Sequence, residues 1–366
     1  MIAGKKIDLM IVLPTVMILI LGLFSLNSAL SHNASKFYVQ LVWVALSTVV
    51  FIFCSFSEIR FFERMAVPLF IANIALLILV LAVEKKIGGA QRWLDLGFMK
   101  FQVSEFTKVS MILFIASRLN MKPTLENGYN LFDIFPEFAA TLIPVYLIYK
   151  EPDLGTAILV MMTATVMFLS TKINTKWLTG LIIVIVLASP FVWLYGLKPY
   201  QKDRITALAS FVWSDRSDLS LTTQYHTNQS IIAVGSGQLH GKGYKKGTQN
   251  LLRFIPEHHT DFIFSVFAEE FGFTGVSLLL FLYLLLLAKI LNLTGSAKDK
   301  FSSLVLVGGA AHMWLQVLIN VGMVTGIIPV VGIPLPWFSY GGSSLIFNAA
   351  LFGIIHNISI NRKFMQ

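Results

Sequence analysis

Ten long apolar runs constrain this chain more than any motif does. They lie near 8–30, 37–57, 64–83, 103–118, 136–150, 155–170, 175–195, 261–291, 302–327 and 341–360. Each is roughly 16 to 30 residues, close to what a helix needs to cross a bilayer. Inside hydrocarbon every backbone N–H and C=O must be paired within the protein, so unbroken apolar runs of this length become helices. The expectation is an all-α polytopic membrane protein of about ten transmembrane helices, a single membrane domain over 1–366. One large loop, 196–260, would carry short amphipathic helices. Composition agrees: 56% of residues are hydrophobic and 13% charged, whereas a soluble chain carries about twice that share of charge. Lys5 and Lys6 followed by an apolar stretch imitate a signal peptide. The stretch is too long for one, which points to a retained first helix. A lone cysteine, Cys54, allows no internal disulfide.

Basic residues set the expected orientation. With both termini cytoplasmic, the inside segments carry Lys5/Lys6, Arg60/Arg64, Arg118/Lys122, Lys172/Lys176, Lys298/Lys300 and Arg362/Lys363, as the positive-inside rule requires. The segments 84–102, 151–154, 196–260 and 328–340 then face outward. They are basic too, through Arg92, Lys198, Lys202, Lys242 and others. An anionic ligand approached from outside and anionic lipid head groups both fit that excess.

The polar residues within this apolar frame are few. Asp261 heads the eighth run, and Ser265, Ala268, Gly272 and Gly275 follow on one helical face. A carboxylate would then head a narrow cleft where membrane meets water. It reads either as a helix cap, with Thr260 competing, or as a catalytic base. Glu105 and Lys108, spaced i,i+3, can pair as a structural ion pair or leave Lys108 to neutralise a phosphate. Asp153 follows Pro152 and is placed to cap the next helix or to meet a ligand. Residues 229–234, with Gln229 and Ser230, read as an amphipathic helix on the membrane surface. The glycines around Lys242 form a loop able to cradle phosphate through its N–H groups. Glu269 and Glu270 lie deeper and off the Asp261 face, as anchors for neighbouring helices. Ser343 or Ser344 is placed to cap the last helix. No His, Cys or carboxylate set has metal-ligand spacing.

Taken together these motifs carry a resemblance. Gly89-Ala90-Gln91-Arg92-Trp93, Gln102-Val103-Ser104-Glu105 with Lys108, and Glu151-Pro152-Asp153-Leu154-Gly155 come first. Gln229-Ser230, Gly241-Lys242-Gly243, Pro256-Glu257 and His259-Thr260-Asp261-Phe262 follow. Pro334-Leu335-Pro336 and Ser339-Tyr340-Gly341-Gly342-Ser343-Ser344 close the series. In this order they resemble the SEDS family (shape, elongation, division and sporulation), its elongation branch more than its division branch. Val103 and Lys150-Glu151 depart from the family pattern. The resemblance implies a peptidoglycan glycosyltransferase that polymerises lipid II at the outer face of the bacterial cytoplasmic membrane, for elongation and rod shape. Its implied partners are a class B penicillin-binding transpeptidase and other elongation-complex membrane proteins, with no nucleic acid. Asp261 takes the position of the essential aspartate, and Glu105 and Lys108 that of the family's Glu–Lys pair. Arg92, Gln102, Ser104, Asp153, Gln229, Ser230, Lys242, Glu257, His259, Thr260, Ser339, Ser343 and Ser344 are the further candidate substrate-binding residues. A divalent cation, magnesium or manganese, would arrive with the substrate.

The implied chemistry suits a single carboxylate. A sugar hydroxyl is a poor nucleophile, and a positioned carboxylate can take its proton as the new bond forms. A pyrophosphate leaving group needs no proton, so the second carboxylate of a glycoside hydrolase is unnecessary. Lys108, Arg92 and Lys242 are candidate clamps for the charge that develops. This favours Asp261 as the base. A flippase for lipid-linked oligosaccharide is the rival reading, and a scaffold with no chemistry a third. A flippase needs ionisable residues along a whole transmembrane path, whereas here they gather near one side.

Overall fold

The computed structural model describes residues 7–31, 34–83, 93–95, 100–123, 128–171, 187–196, 202, 221–248 and 260–362. The helices are α1 (Leu9–Ala29), α2 (Ala34–Phe56), α3 (Ile59–Val83), α4 (Val103–Asn120), α5 (Leu131–Lys150), α6 (Leu154–Ser170), α7 (Leu221–Ser236), α8 (Ile263–Gly295), α9 (Lys300–Val324) and α10 (Gly342–Ile360). Each expected span but the seventh coincides with one of them. The seventh, 175–195, lies outside the described residues up to 186, and its end closes in a π-helical turn, Val192–Gly196. α1 to α3, α5 and α8 to α10 are long and apolar enough to cross a membrane. α6 is apolar but shorter, and α4 is diluted by Ser104, Glu105, Lys108 and Ser110. α5 begins at Leu131 rather than 136, because Asp133 accepts from the Asn130 N–H at 2.8 Å and fixes an earlier first turn.

α9 is the central helix. In its most apolar stretch 72% of residues are buried, against 22% in α2, so α2 faces outward and α9 does not. α4, α6, α7, α8 and α10 all pack on α9. The outward helices close on the core through small residues. α10 lies along α2 with Gly353 against Cys54 and the Phe51 backbone, and Asn357 Nδ2 donates to Cys54 O at 2.9 Å. Gly22 of α1 meets the backbone of Phe338, where a Cβ would stand 2.7 Å from its Cα. Close helix approach of this kind replaces the hydrophobic drive that lipid cannot supply.

Two features lie outside the helical expectation. Trp93–Asp95 (β1) and Lys100–Gln102 (β2) pair antiparallel, Trp93 opposite Gln102, and the ribbon runs directly into α4. α8 is broken at Gly272, whose φ of 64° and ψ of −163° are not helical. The broken ladder is repaired by the turn after α7. Lys242 N and Gly243 N donate to Glu269 O and Glu270 O at 2.9 and 3.0 Å, while Phe273 N and Thr274 N donate to Gln238 O and Leu239 O at 2.8 and 3.0 Å. Irregular backbone is tolerated at membrane depth only when its groups are satisfied in this way. A Cβ on Gly272 would lie 2.3 Å from Gly241 N, and one on Gly237 2.0 Å from Ala268 O.

The same contacts correct two expectations. The small-residue stripe below Asp261 is not an open cleft, because residues 237–243 fill it. The glycine-rich loop does not offer its N–H groups to a phosphate, because Lys242 and Gly243 give theirs to α8. α7 is amphipathic as expected: Ile232 is exposed, whereas Ser230 and Ala233 are fully buried, and Ser230 Oγ donates to Val324 O at 2.8 Å, which packs that face on the bundle.

At the opposite end of the bundle Asp8 ties three helices together. Its carboxylate lies 2.7 Å from Lys289 Nζ and accepts from the Ser359 hydroxyl, while its N–H donates to His356 Nε2 at 3.2 Å.

Candidate functional site

Asp261 stands just before α8, half-buried. The capping position falls on Phe262, with no side-chain cap bond, so neither Asp261 nor Thr260 is the N-cap. Asn320 of α9 holds the aspartate's backbone. Its Nδ2 donates to Asp261 O at 3.0 Å and to Ile333 O at 2.8 Å, joining the head of α8 to the segment after α9. Gly332 in that segment has a φ of +73°, and its missing Cβ would stand 3.3 Å from Asp261 Oδ2. The carboxylate therefore lies against bare backbone, and only glycine fits there without strain.

The segment after α9 turns inward in its second half. Ile333, Leu335, Trp337 and Phe338 are buried. Leu335 N donates to Ser339 Oγ at 2.9 Å, and Tyr283 Oη donates to Pro336 O at 2.5 Å. Ser339 thus serves its own turn. Burial pushes the Tyr340 phenol up, which keeps it a neutral donor.

A second group forms where β2 meets α4. Gln102 Nε2 donates to Ser104 Oγ at 3.1 Å and to Asp153 Oδ2 at 3.4 Å, and Gln102 N donates to Ser343 Oγ at 3.2 Å. Four residues expected to bind substrate, Gln102, Ser104, Asp153 and Ser343, are brought together from four elements. Asp153 also caps α6, accepting from Thr156 N at 3.2 Å. The capping role expected of Asp153 is therefore present, with its second oxygen turned to Gln102. Ser343 does not cap α10, whose N-cap is Gly341, and Ser344 Oγ accepts from Asn348 Nδ2 at 3.3 Å.

One turn into α4, Lys108 Nζ lies 2.6 Å from Glu105 Oε1, each side chain 3% exposed. Burying two charges costs more than their attraction returns unless a specific arrangement is required, and ionisable groups at membrane depth mark functional positions.

Lys242 differs from its expected role as a free clamp. Its Nζ lies 2.6 Å from Glu269 Oε1, which also accepts from Thr248 N and Thr248 Oγ at 2.9 and 3.0 Å. Glu270 accepts from the Ser28 hydroxyl of α1. Both glutamates therefore anchor neighbouring segments. Gln229 is half-buried on α7, one residue before Ser230. Arg92, Glu257 and His259 lie outside the described residues. Among the described residues no three His, Cys, Asp or Glu side chains come together. Asn320 and Gly332 escape a search for reactive side chains, since one acts through its amide and the other through lacking a Cβ.

Residues 5–364 match the FtsW/RodA/SpoVE family, described as cell cycle proteins. The chain is 38% identical over 365 residues to the peptidoglycan glycosyltransferase MrdB of Escherichia coli K12, covering 96% of this chain and 95% of that one. It is similar to a chain of a peptidoglycan synthase complex solved to study the coordination of polymerization and crosslinking, with a TM-score of 0.81 at 32% identity over 96% of this chain and 97% of that one. It is also similar to the rod shape determining protein RodA of Thermus thermophilus, with a TM-score of 0.71 at 29% identity over 98% of both chains. The match over nearly the whole length, with the apolar helices in place, makes this multi-pass membrane protein a member of the FtsW/RodA/SpoVE family.

Proposed function

We propose that this chain is a peptidoglycan glycosyltransferase that polymerises lipid II into β-1,4 glycan strands for cell elongation, with Asp261 as its general base. The observation that carries the assignment is the presentation of Asp261. Its backbone is gripped by Asn320, and its carboxylate lies against Gly332 just before α8. A fixed carboxylate can take the proton of an acceptor hydroxyl as that oxygen attacks the anomeric carbon. The diphosphate departs with the bonding electrons, and Lys108 or a basic residue of the 84–102 segment would offset its charge. A divalent cation arriving with the diphosphate would add to that neutralisation. Gln102, half-buried and bonded to Ser104, Asp153 and Ser343 beneath it, is the member of that group placed to meet the saccharide.

In this reading the protein lies in the cytoplasmic membrane with both termini inside and Asp261 at the outer face. It works beside a class B penicillin-binding transpeptidase, as the likeness to a chain of a synthase complex supports. The test is purified chain, with and without that partner, given lipid II and read as polymer on a gel. Wild type is expected to make glycan strands, and a folded Asp261→Asn variant none. Polymer from the Asn variant would remove Asp261 from its role. Movement of lipid II across a vesicle without polymer would favour the flippase.

A further inference from the structure

Three polar side chains on α9 take no part in the arrangement above, apart from one amide nitrogen. His312, Gln316 and Asn320 recur every four residues and so share one face, rising about 6 Å per step. They are 2%, 0% and 0% exposed. Asn320 spends its Nδ2 on Asp261 O and Ile333 O, but its Oδ1 has no partner among the described residues. Neither do Gln316 Oε1 and Nε2, nor His312 Nδ1. Near its deeper end this row adjoins α4, where Gly308, one turn from His312, packs on Ile112, one turn from Lys108, and at its upper end it grips Asp261.

Four orphaned atoms on one buried face are not an accident of packing. An unmet buried hydrogen-bonding group costs about 1–3 kcal/mol, and such groups in folded proteins are met by protein or by ordered water. An apolar residue at 316 would avoid that cost. Water held between polar side chains one turn apart can find the two to four partners it needs.

We propose that this face of α9 is a hydrated polar file running from the Glu105–Lys108 pair to Asp261, and that through Asn320 it sets the position of the aspartate. It rests on the reading of Asp261 as the base. Gln316 is then a positioning residue. Water bonded to Gln316 and to Asn320 Oδ1 orients the Asn320 amide, and that amide fixes the head of α8 against the segment carrying Gly332. A slot that holds water tolerates a shorter amide, because one more water fills the gap, but does not tolerate a hydrocarbon.

The test compares Gln316→Leu and Gln316→Asn with wild type and Asp261→Asn in the lipid II polymerisation assay, alongside the thermal midpoint in detergent. Gln316→Leu is expected to lower kcat at least about tenfold. KM for lipid II should stay within about twofold of wild type, since a positioning loss falls on kcat. The midpoint should stay near that of wild type, because the apolar burial gained by leucine offsets the water-mediated bonds lost with the amide. Gln316→Asn is expected to keep most of the rate. The inference is overturned if Gln316→Leu keeps the wild-type kcat, if its midpoint falls together with its rate, if the loss appears in KM alone, or if Gln316→Asn is as slow as the Leu variant. Polymer from Asp261→Asn would instead overturn the parent reading, whatever the Gln316 variants do.

Discussion

Lys242 Nζ and Glu269 Oε1 are 2.6 Å apart, and the pair spans the join between the glycine-rich turn and the first half of the broken helix. Glu269 is fully buried while Lys242 is 29% exposed, so the carboxylate depends on this partner more than the ammonium does. Lys242→Met should therefore destabilise the protein by about 3 kcal/mol, near the low end for breaking a buried pair. The double variant Lys242→Met, Glu269→Gln should recover much of that loss in a thermal denaturation series. A Lys242→Met protein with wild-type stability but little polymerisation would return Lys242 to clamping diphosphate.

Glu105 and Lys108 make the same contact with both side chains buried, and here a role beyond packing has a direct signature. Lys108→Ala should slow polymerisation more than Lys108→Arg, because only the latter keeps a cation near the leaving diphosphate. The charge-free pair Glu105→Gln, Lys108→Met should fold, since replacing both partners avoids an uncompensated buried charge. It should nonetheless polymerise slowly. Wild-type rates from the double variant would make the pair purely structural.

The transmembrane helices were legible because apolar length is a bulk property that survives any detail of packing. Gln102, Ser104, Asp153 and Ser343 were legible as candidates through the family resemblance, and Asp153 and Ser343 also as residues placed to cap a helix. What the sequence concealed was long-range pairing. Gly241, Lys242 and Gly243 read as an anion cradle, because their partners are backbone carbonyls freed by a break at Gly272. That break shows in sequence only as one more small residue in a stripe. Asn320 sits in an apolar run as an ordinary polar exception, and its importance appears only when Ile333 and Asp261 are brought to it. The ribbon before α4 was missed because two three-residue strands offer no run long enough for alternation to register.

Stability should depend on pH through Asp8. Burial raises the carboxyl's pKa, but bonds from Lys289, Ser359 and the Met10 N–H, with the Lys289 charge, outweigh it and leave the pKa below the ordinary aspartate value. A depressed folded pKa means the stabilisation is present above the unfolded value and is lost as pH falls through the folded one. Asp8→Asn should therefore lower the thermal midpoint near neutral pH. The gap from wild type should close as acid protonates the native carboxyl. A gap that widens on acidification would contradict the ion pair's role in joining α1, α8 and α10.

Gly332 offers the most local probe of the aspartate. At φ +73° an alanine carries backbone strain of about 1–2 kcal/mol. Its Cβ would also stand 3.3 Å from Asp261 Oδ2, tighter than an oxygen–methyl contact prefers. The strain alone predicts a modest drop in thermal midpoint. Displacement of the carboxylate predicts something larger, a polymerisation rate reduced on the order of tenfold to a hundredfold, because proton transfer depends steeply on where the base is held. Gly326 separates the two effects. It also has a positive φ, 78°, and its N–H bonds to Met323 O at the end of α9. Gly326→Ala should thus share the stability cost and keep the rate. If both glycine variants lose activity in proportion to stability, Gly332 only shapes the loop, and the carboxylate is not held by what lies beneath it.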